Sequence, residues 1–345
     1  MTEIFDLKRV AETPLTTEEA ARIFGELLGG RAGDDEIKAF LIALSARKPA
    51  ISEFVGAVEA MRAQMRGITA PPHAIDLCGT GGDGLGTLNI STAVSFVVAA
   101  AGVPVAKHGN RSMSSKSGAA DILEALGVKI DLPPELAERV LGETGIVFLF
   151  AQTHHPAMRH VAAARRAIGK RTIFNLLGPM ASPARVKRQL VGVFAEEWLM
   201  PYAEALKALG TERAMVVHGA DGLDELTTTD VTYVATLKDG VVIRSEIAPE
   251  DAGLKRVRMV DLQGGTAPEN AEALKALFAG QEGAYRDIVL FNSAGALMVA
   301  GLVEDIMSGM ALAREALDSG AAKAKLDHLV TASTREAANS ELTDL

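Results

Sequence analysis

Across residues 1–66 the apolar positions recur at helical spacing. Thr16 and Glu19 form a capping-box signature ahead of a face made by Ala20, Ile23, Phe24 and Leu27, and Gly29-Gly30 mark its end. Asp34 or Asp35 starts a second helix through Ile37, Phe40, Leu41 and Leu44, which stops before Pro49. Ser52 is expected to cap a third, with Phe54, Val55, Val58, Met61 and Met65 on one face. Residues 67–72, containing Pro71-Pro72, read as a linker. Beyond them the period changes. Short apolar runs at 74–77, 103–106, 146–150, 190–194 and 213–217 alternate with helical stretches at 91–101, 118–126, 134–142 and 197–209. That alternation predicts an α/β fold, with a mainly parallel central sheet flanked by helices on both faces. Residues 154–169 read as one helix, with Pro156 in its first turn. Residues 231–236 and 241–245, joined through Asp239-Gly240, predict a β-hairpin, and 268–333 are again helical. There is no internal repeat.

Composition narrows the class. A chain of 345 residues, 48% hydrophobic and 23% charged, reads as globular and soluble, with room for one to three domains. No apolar run reaches the roughly 18 residues of a membrane span, and the start of the chain lacks the pattern of a signal peptide. The single cysteine, Cys78, excludes an internal disulfide and fits a reducing, cytoplasmic setting. Zinc-binding spacings are absent. The net charge of −9 argues against nucleic acid as a partner. A phosphorylated small molecule needs only local charge, and Lys107, Arg111 and Lys116 place three cations within ten positions.

The densest chemistry lies between Asp76 and Ser117. A glycine run, Gly79-Thr80-Gly81-Gly82-Asp83-Gly84, is followed by Asn89-Ile90-Ser91-Thr92, then by Lys107-His108-Gly109-Asn110-Arg111-Ser112 and Ser114-Ser115-Lys116-Ser117. Glycines let backbone N–H groups approach phosphate oxygens, hydroxyls at a helix start donate further bonds, and lysine supplies point charge. This is the equipment for a sugar carrying several phosphates. The run also contains G-x-G-x-x-G, the dinucleotide fingerprint. A dinucleotide fold starts its helix inside the fingerprint and follows it, about 20 residues on, with an acidic ribose ligand. Here Gly86 and Thr87 prolong the loop and the next strand leads into Lys107-His108, which suits another phosphate better than a ribose diol.

Further markers follow in order: Arg159-His160 with Arg165, then Arg171 and Asn175-Leu176-Leu177-Gly178-Pro179, then Val217-His218-Gly219 leading to Asp221-Gly222-Leu223-Asp224-Glu225. From about residue 15 to about residue 330 these segments resemble the anthranilate phosphoribosyltransferase family, enzymes that join a phosphoribosyl group to anthranilate in tryptophan biosynthesis. The resemblance implies attack of the anthranilate amine on C1 of phosphoribosyl pyrophosphate, with pyrophosphate leaving, Mg²⁺ as cofactor and no covalent nucleophile. It implies a homodimer formed through a small helical domain (residues 1–70 plus about 160–186), and a large α/β domain (71–159 plus 187–345) holding phosphoribosyl pyrophosphate and magnesium.

Carried over position by position, Gly79, Gly82, Asp83, Thr87, Asn89, Ile90, Ser91, Thr92, Lys107 and Ser115 are the expected phosphoribosyl pyrophosphate contacts. Gly79, His108, Asn110 and Arg165 are the anthranilate side, and Ser91, Asp224 and Glu225 the metal side. The residue types suit these tasks. A guanidinium fork matches a carboxylate, and Mg²⁺ takes one or two carboxylates together with substrate phosphates. Lys107 is expected to put its charge directly on phosphate, and Asn175 to Pro179 to form a helix end and turn. Two positions depart from the pattern: Ala119, where some relatives carry serine, and Ser182, where the family often has asparagine. Two rivals share the fold. A pyrimidine nucleoside phosphorylase would use a Lys-His-Ser type segment where this chain has Lys107-His108-Gly109. A nucleic-acid-binding relative would need a basic surface and lost acids, against the net charge of −9 and the intact Asp224-Glu225.

Overall fold

The computed structural model describes residues 5–112 and 116–343. Seven strands make one sheet: β1 Ile75–Gly79, β2 Val105–Gly109, β3 Ile146–Phe150, β4 Arg188–Gly192, β5 Arg213–Gly219, β6 Thr232–Lys238 and β7 Val241–Ile247. Their spatial order is β3-β2-β1-β4-β5-β6-β7. The first five are parallel, and β6 and β7 extend the edge as an antiparallel hairpin. Asp239 and Gly240 turn that hairpin with φ of 51° and 74°, the left-handed pair that matches strand twist.

The sheet is buried on both faces, so its strands are apolar at successive positions. Leu190, Met215 and Val217 join one core, while Val191, Ala214 and Val216 join the other. The first core is covered by the helices Ile90–Ala100, Ala284–Ala300, Ile306–Asp318 and Ala321–Thr343. The second runs through the helix Leu199–Ala208 into a bundle of N-terminal helices, Leu7–Glu12, Thr17–Leu28, Asp34–Leu44 and Ile51–Ala63. Later segments complete that bundle. Arg159–Ile168 packs on Asp34–Leu44 and Thr17–Leu28, and Phe174–Met180 packs on Ile51–Ala63. Phe24 meets Phe40 and Phe174 edge-on, each at 5.6 Å. Among the described residues no helix is long and apolar enough to cross a membrane.

Several local expectations change. Ser52 does not cap the third helix: its hydroxyl donates to the Leu15 carbonyl, and the helix begins at Ile51. Glu53 does the capping, accepting the Ala50 N–H at 2.8 Å and the Leu15 N–H at 2.9 Å while paired with Arg47. The stretch 154–169 is broken rather than continuous. His155 precedes a proline, a position that disfavours the helical region, and it sits at φ −120°, ψ 61°. The chain therefore makes a short turn Ala151–His154 and a 3-10 turn Pro156–Met158 before the helix Arg159–Ile168. Pro179 lies in the last turn of the helix Phe174–Met180, not in a turn after it. Strands β1 and β2 extend beyond their apolar runs, so Gly79, Lys107 and His108 are strand residues.

Candidate active site

In the order β3-β2-β1-β4-β5, the chain's connections diverge between β1 and β4. Crevices beyond the carboxyl ends of strands at such a switch are where ligands bind in parallel sheets. Gly79 and Gly192 end these two strands as register partners. Both are glycine because the acidic loop lies over them: a Cβ on Gly79 would collide with the Asp224 carboxylate, and one on Gly192 with the Asp224 carbonyl. After Gly79 the chain loops through Gly82, whose carbonyl accepts from Arg171, and Asp83, which accepts the Leu85 N–H at 3.2 Å. The next helix starts only at Ile90. The fingerprint therefore does not open a helix, as a dinucleotide site would require.

Asp83, Asp224 and Glu225 converge here. Asp224 accepts the Gly81 N–H at 3.0 Å and lies beside Asp83, whose charge it feels. Glu225 faces the backbone N–H of Ser91, at the start of the Ile90–Ala100 helix. Asn292, fully buried, holds the loop from behind: its side chain accepts the Leu226 N–H at 2.9 Å and donates to the Leu226 carbonyl at 2.8 Å. Desolvation, then repulsion from Asp83, lifts the Asp224 carboxyl to about 7. Desolvation and the neighbouring Asp224 lift Glu225 to about 8, and desolvation raises Asp83 as well. Among the described residues no three His, Cys, Asp or Glu side chains surround one point. Two hard carboxylates that repel each other, beside the Ser91 hydroxyl and an open loop, are nevertheless the donor set Mg²⁺ takes when water and phosphate complete its shell.

Unfolded, these carboxyls have ordinary values of 3.8 and 4.5, so the folded chain binds more protons from there up to about pH 8. Their contribution favours the fold at low pH and is lost as pH rises through about 7 and about 8. A cation needs the deprotonated pair. The rise in melting temperature on adding MgCl₂ should therefore be near zero at about pH 6 and several degrees at about pH 8.5. Equal shifts at both would mean that the acids titrate normally.

Lys107 is not placed as expected. It lies within β2, 3% exposed, and its ammonium donates to the Leu77 carbonyl and, at 3.1 Å, to Ser91 Oγ. Its charge therefore reaches the crevice through the helix start and faces Glu225 and Asp76. Arg111 is also committed elsewhere, to Asp121 and Glu124, with its guanidinium over Phe150. Asp76 marks the start of the dense stretch in the sequence but was given no role there, although it stands as a lone acid inside an apolar run. Fully buried, with its carboxyl lifted to about 6 by desolvation, it accepts the His108 N–H at 2.9 Å.

Of the other phosphate candidates, Thr87 bridges to Gln263 and Asn89 is the N-cap residue, its side chain bonded to Ser117 and Asn270 rather than to its own helix. Ile90 is buried apolar packing at the helix start. Thr92 Oγ1 is buried with no hydrogen-bond partner among the described residues. Ser115 lies outside the described residues. Ala119 opens the helix Ala119–Ala125, and Ser182 is buried, its hydroxyl without a hydrogen-bond partner among the described residues.

On the other side of Asp76, His108 sits 5.2 Å from His155, ring centre to ring centre. His108 Nδ1 faces the Gly178 carbonyl at 3.1 Å, and burial and the neighbouring His155 hold it neutral, well below its ordinary value. Burial takes His155 down to about 4. In both rings Nε2 is buried and has no hydrogen-bond partner among the described residues, a bare acceptor. His155 was the second residue that sequence reading passed over, hidden in a stretch read as plain helix. Asn110 is exposed, its side-chain oxygen taking the Arg111 N–H at 2.8 Å. Arg165, half-buried, stacks on Phe174 at 5.3 Å, has no ion-pair partner among the described residues, and is shifted down by burial. The helix Phe174–Met180 thus touches Arg165 at one end and His108 at the other.

Known families share this arrangement. Residues 71–323 match the glycosyl transferase family a/b domain, and residues 5–65 match the helical bundle domain of the same family. Fold and site together define a glycosyl transferase built from a helical bundle and an α/β domain. The chain is 53% identical over 321 residues to the anthranilate phosphoribosyltransferase of Xanthobacter autotrophicus, and 54% identical over 320 residues to that of Azorhizobium caulinodans, covering 93% of each chain in both pairs. The anthranilate phosphoribosyltransferase structure from Thermus thermophilus superposes with a TM-score of 0.90 at 41% identity, over 95% of this chain and 99% of that one. This chain belongs to the anthranilate phosphoribosyltransferase family.

Proposed function

We propose that this protein transfers the phosphoribosyl group of 5-phosphoribosyl 1-pyrophosphate to the amine of anthranilate, giving N-(5-phosphoribosyl)anthranilate and pyrophosphate. One juxtaposition carries the reading. The crevice over β1 and β4 has acids and a glycine loop suited to a metal-bound pyrophosphate. Through Asp76 and His108 it adjoins a neutral, partly apolar region reached by the Arg165 guanidinium, which has no ion-pair partner among the described residues. The Saccharomyces cerevisiae anthranilate phosphoribosyltransferase, of the same fold, was solved with PRPP and Mg.

In this reading Asp224, Glu225 and Ser91 hold Mg²⁺, which when bound neutralises charge on the departing pyrophosphate. The glycine loop and the Ile90–Ala100 helix start present N–H groups to phosphate. Arg165 takes the anthranilate carboxylate, and the bare Nε2 of His108 accepts an N–H of the amine. The amine is already neutral near pH 7, so the side chains orient it rather than deprotonate it. Its lone pair forms the C1–N bond as the C1–O bond breaks, and the spare proton leaves to solvent. The same reading puts residues 1–70 with about 160–186 in a helical domain that pairs two copies, and 71–159 with 187–345 in the α/β domain. It places the enzyme in the cytoplasm.

Loss of anthranilate fluorescence on mixing with phosphoribosyl pyrophosphate tests the reaction. The expected result is loss with MgCl₂ and none after excess chelator. No loss from folded protein would overturn the proposal and direct the search to nucleosides with phosphate.

A further inference from the structure

Residues 262–270 run against the loop 85–89 as a strap. The Gly264 N–H donates to the Gly86 carbonyl at 2.9 Å and the Leu88 N–H to the Leu262 carbonyl at 3.0 Å. Gln263 Nε2 donates to the Leu85 carbonyl at 3.0 Å, and Thr87 bridges to Gln263. A Cβ on Gly264 would stand 2.6 Å from the Thr87 carbonyl oxygen, so the approach is as close as glycine allows. At the end of the strap Asn270, 2% exposed, uses both ends of its amide. Oδ1 accepts the Gly265 N–H at 2.7 Å, and Nδ2 donates to Asn89 Oδ1 at 2.9 Å. With that oxygen engaged, Asn89 Nδ2 donates to the Ser117 carbonyl at 3.3 Å, and the Tyr285 hydroxyl donates to the Asn89 carbonyl at 3.3 Å.

We propose that Asn270 is a positioning residue for phosphoribosyl pyrophosphate, orienting Asn89 so that the loop 85–92 and the chain at Ser117 are held together around the phosphates. The inference rests on the reading of that loop as the phosphoribosyl pyrophosphate site. The physical reason is donor–acceptor order. The Asn270 amide is buried and must satisfy both ends, and its 2.9 Å donor, with a longer 3.4 Å bond from the Ser117 hydroxyl, fixes Asn89 Oδ1 as the accepting end and leaves Nδ2 to donate to the Ser117 carbonyl. A carboxylate at 270 would keep the volume and the Gly265 bond but set acceptor against acceptor. Asn89 Oδ1 would then keep only the longer 3.4 Å bond from the Ser117 hydroxyl and face a repelling carboxylate, which loosens the Asn89 hold on the Ser117 carbonyl.

Calorimetric titration of phosphoribosyl pyrophosphate with MgCl₂ into the full chain, without anthranilate, tests this. Asn270→Asp should weaken binding about five- to tenfold, with the anthranilate KM changed by less than about twofold. Tyr285→Phe, removing one bond to the Asn89 backbone, should weaken the same binding about two- to threefold. Unchanged affinity in folded Asn270→Asp overturns the inference. So does an equal weakening of both substrates, the mark of general loosening. If Asn270→Asp does not fold, unchanged affinity in Tyr285→Phe overturns it. Failure of the wild type to bind would instead remove the reading of the loop itself, and this inference with it.

Discussion

Asp224→Asn combined with Glu225→Gln should lower turnover by about a thousandfold and leave a residual rate that no longer responds to MgCl₂. The size follows from the task. The leaving group carries the developing charge, and removing the groups that place its counter-charge costs on the order of a hundred- to a thousandfold per site. The substitutions keep side-chain volume, and they also remove the carboxyls that burial, then mutual repulsion, lift to about 7 and about 8. The variant should therefore fold and be at least as stable as the wild type above about pH 8, because it lacks the carboxyls whose ionisation opposes folding there. Two readouts separate metal from scaffold: the MgCl₂ dependence of kcat, and the pH dependence of the melting temperature. Retained magnesium dependence in a folded variant would move the metal elsewhere.

Arg165→Ala should raise the anthranilate KM about a hundredfold, leaving the phosphoribosyl pyrophosphate KM within about twofold. The guanidinium is partly desolvated, stacked on Phe174 and without an acidic partner among the described residues. An unpaired, half-buried cation costs free energy in the empty protein, and a ligand carboxylate recovers it. A hundredfold corresponds to about 2.7 kcal/mol, the range of a charged, two-pronged hydrogen bond. Arg165→Lys should recover part of the loss, since charge remains but the fork does not. A change in the phosphoribosyl pyrophosphate KM alone would take the carboxylate role from Arg165.

The elements and the neighbourhood of the site were legible because their signals are local. Apolar spacing, the Thr16/Glu19 cap, the Asp239-Gly240 turn and the run of glycines each act within a few residues. So a helix, a hairpin or a phosphate loop can be read from a short window. Errors arose where a long-range contact overrode the window. Glu53 displaced Ser52 as the cap because Arg47 and the Leu15 N–H pair with it in the interior. The break at His155 is different, since the proline after it is a local signal, but only packing brought its ring against His108.

The same division holds for the chemistry. Residue types and their order along the chain were enough to expect a glycine loop and a helix start serving a polyphosphate, and the family resemblance added the acidic pair. Which groups carry free charge there was not readable. Lys107 and Arg111 look alike on the page, yet one is buried against Ser91 and the other is neutralised by Asp121 and Glu124. Asp76 and Asn270 act through contacts 32 and 181 positions away. Burial, pairing and pKa depend on which distant segments the fold brings within hydrogen-bonding range, and no local pattern encodes that proximity.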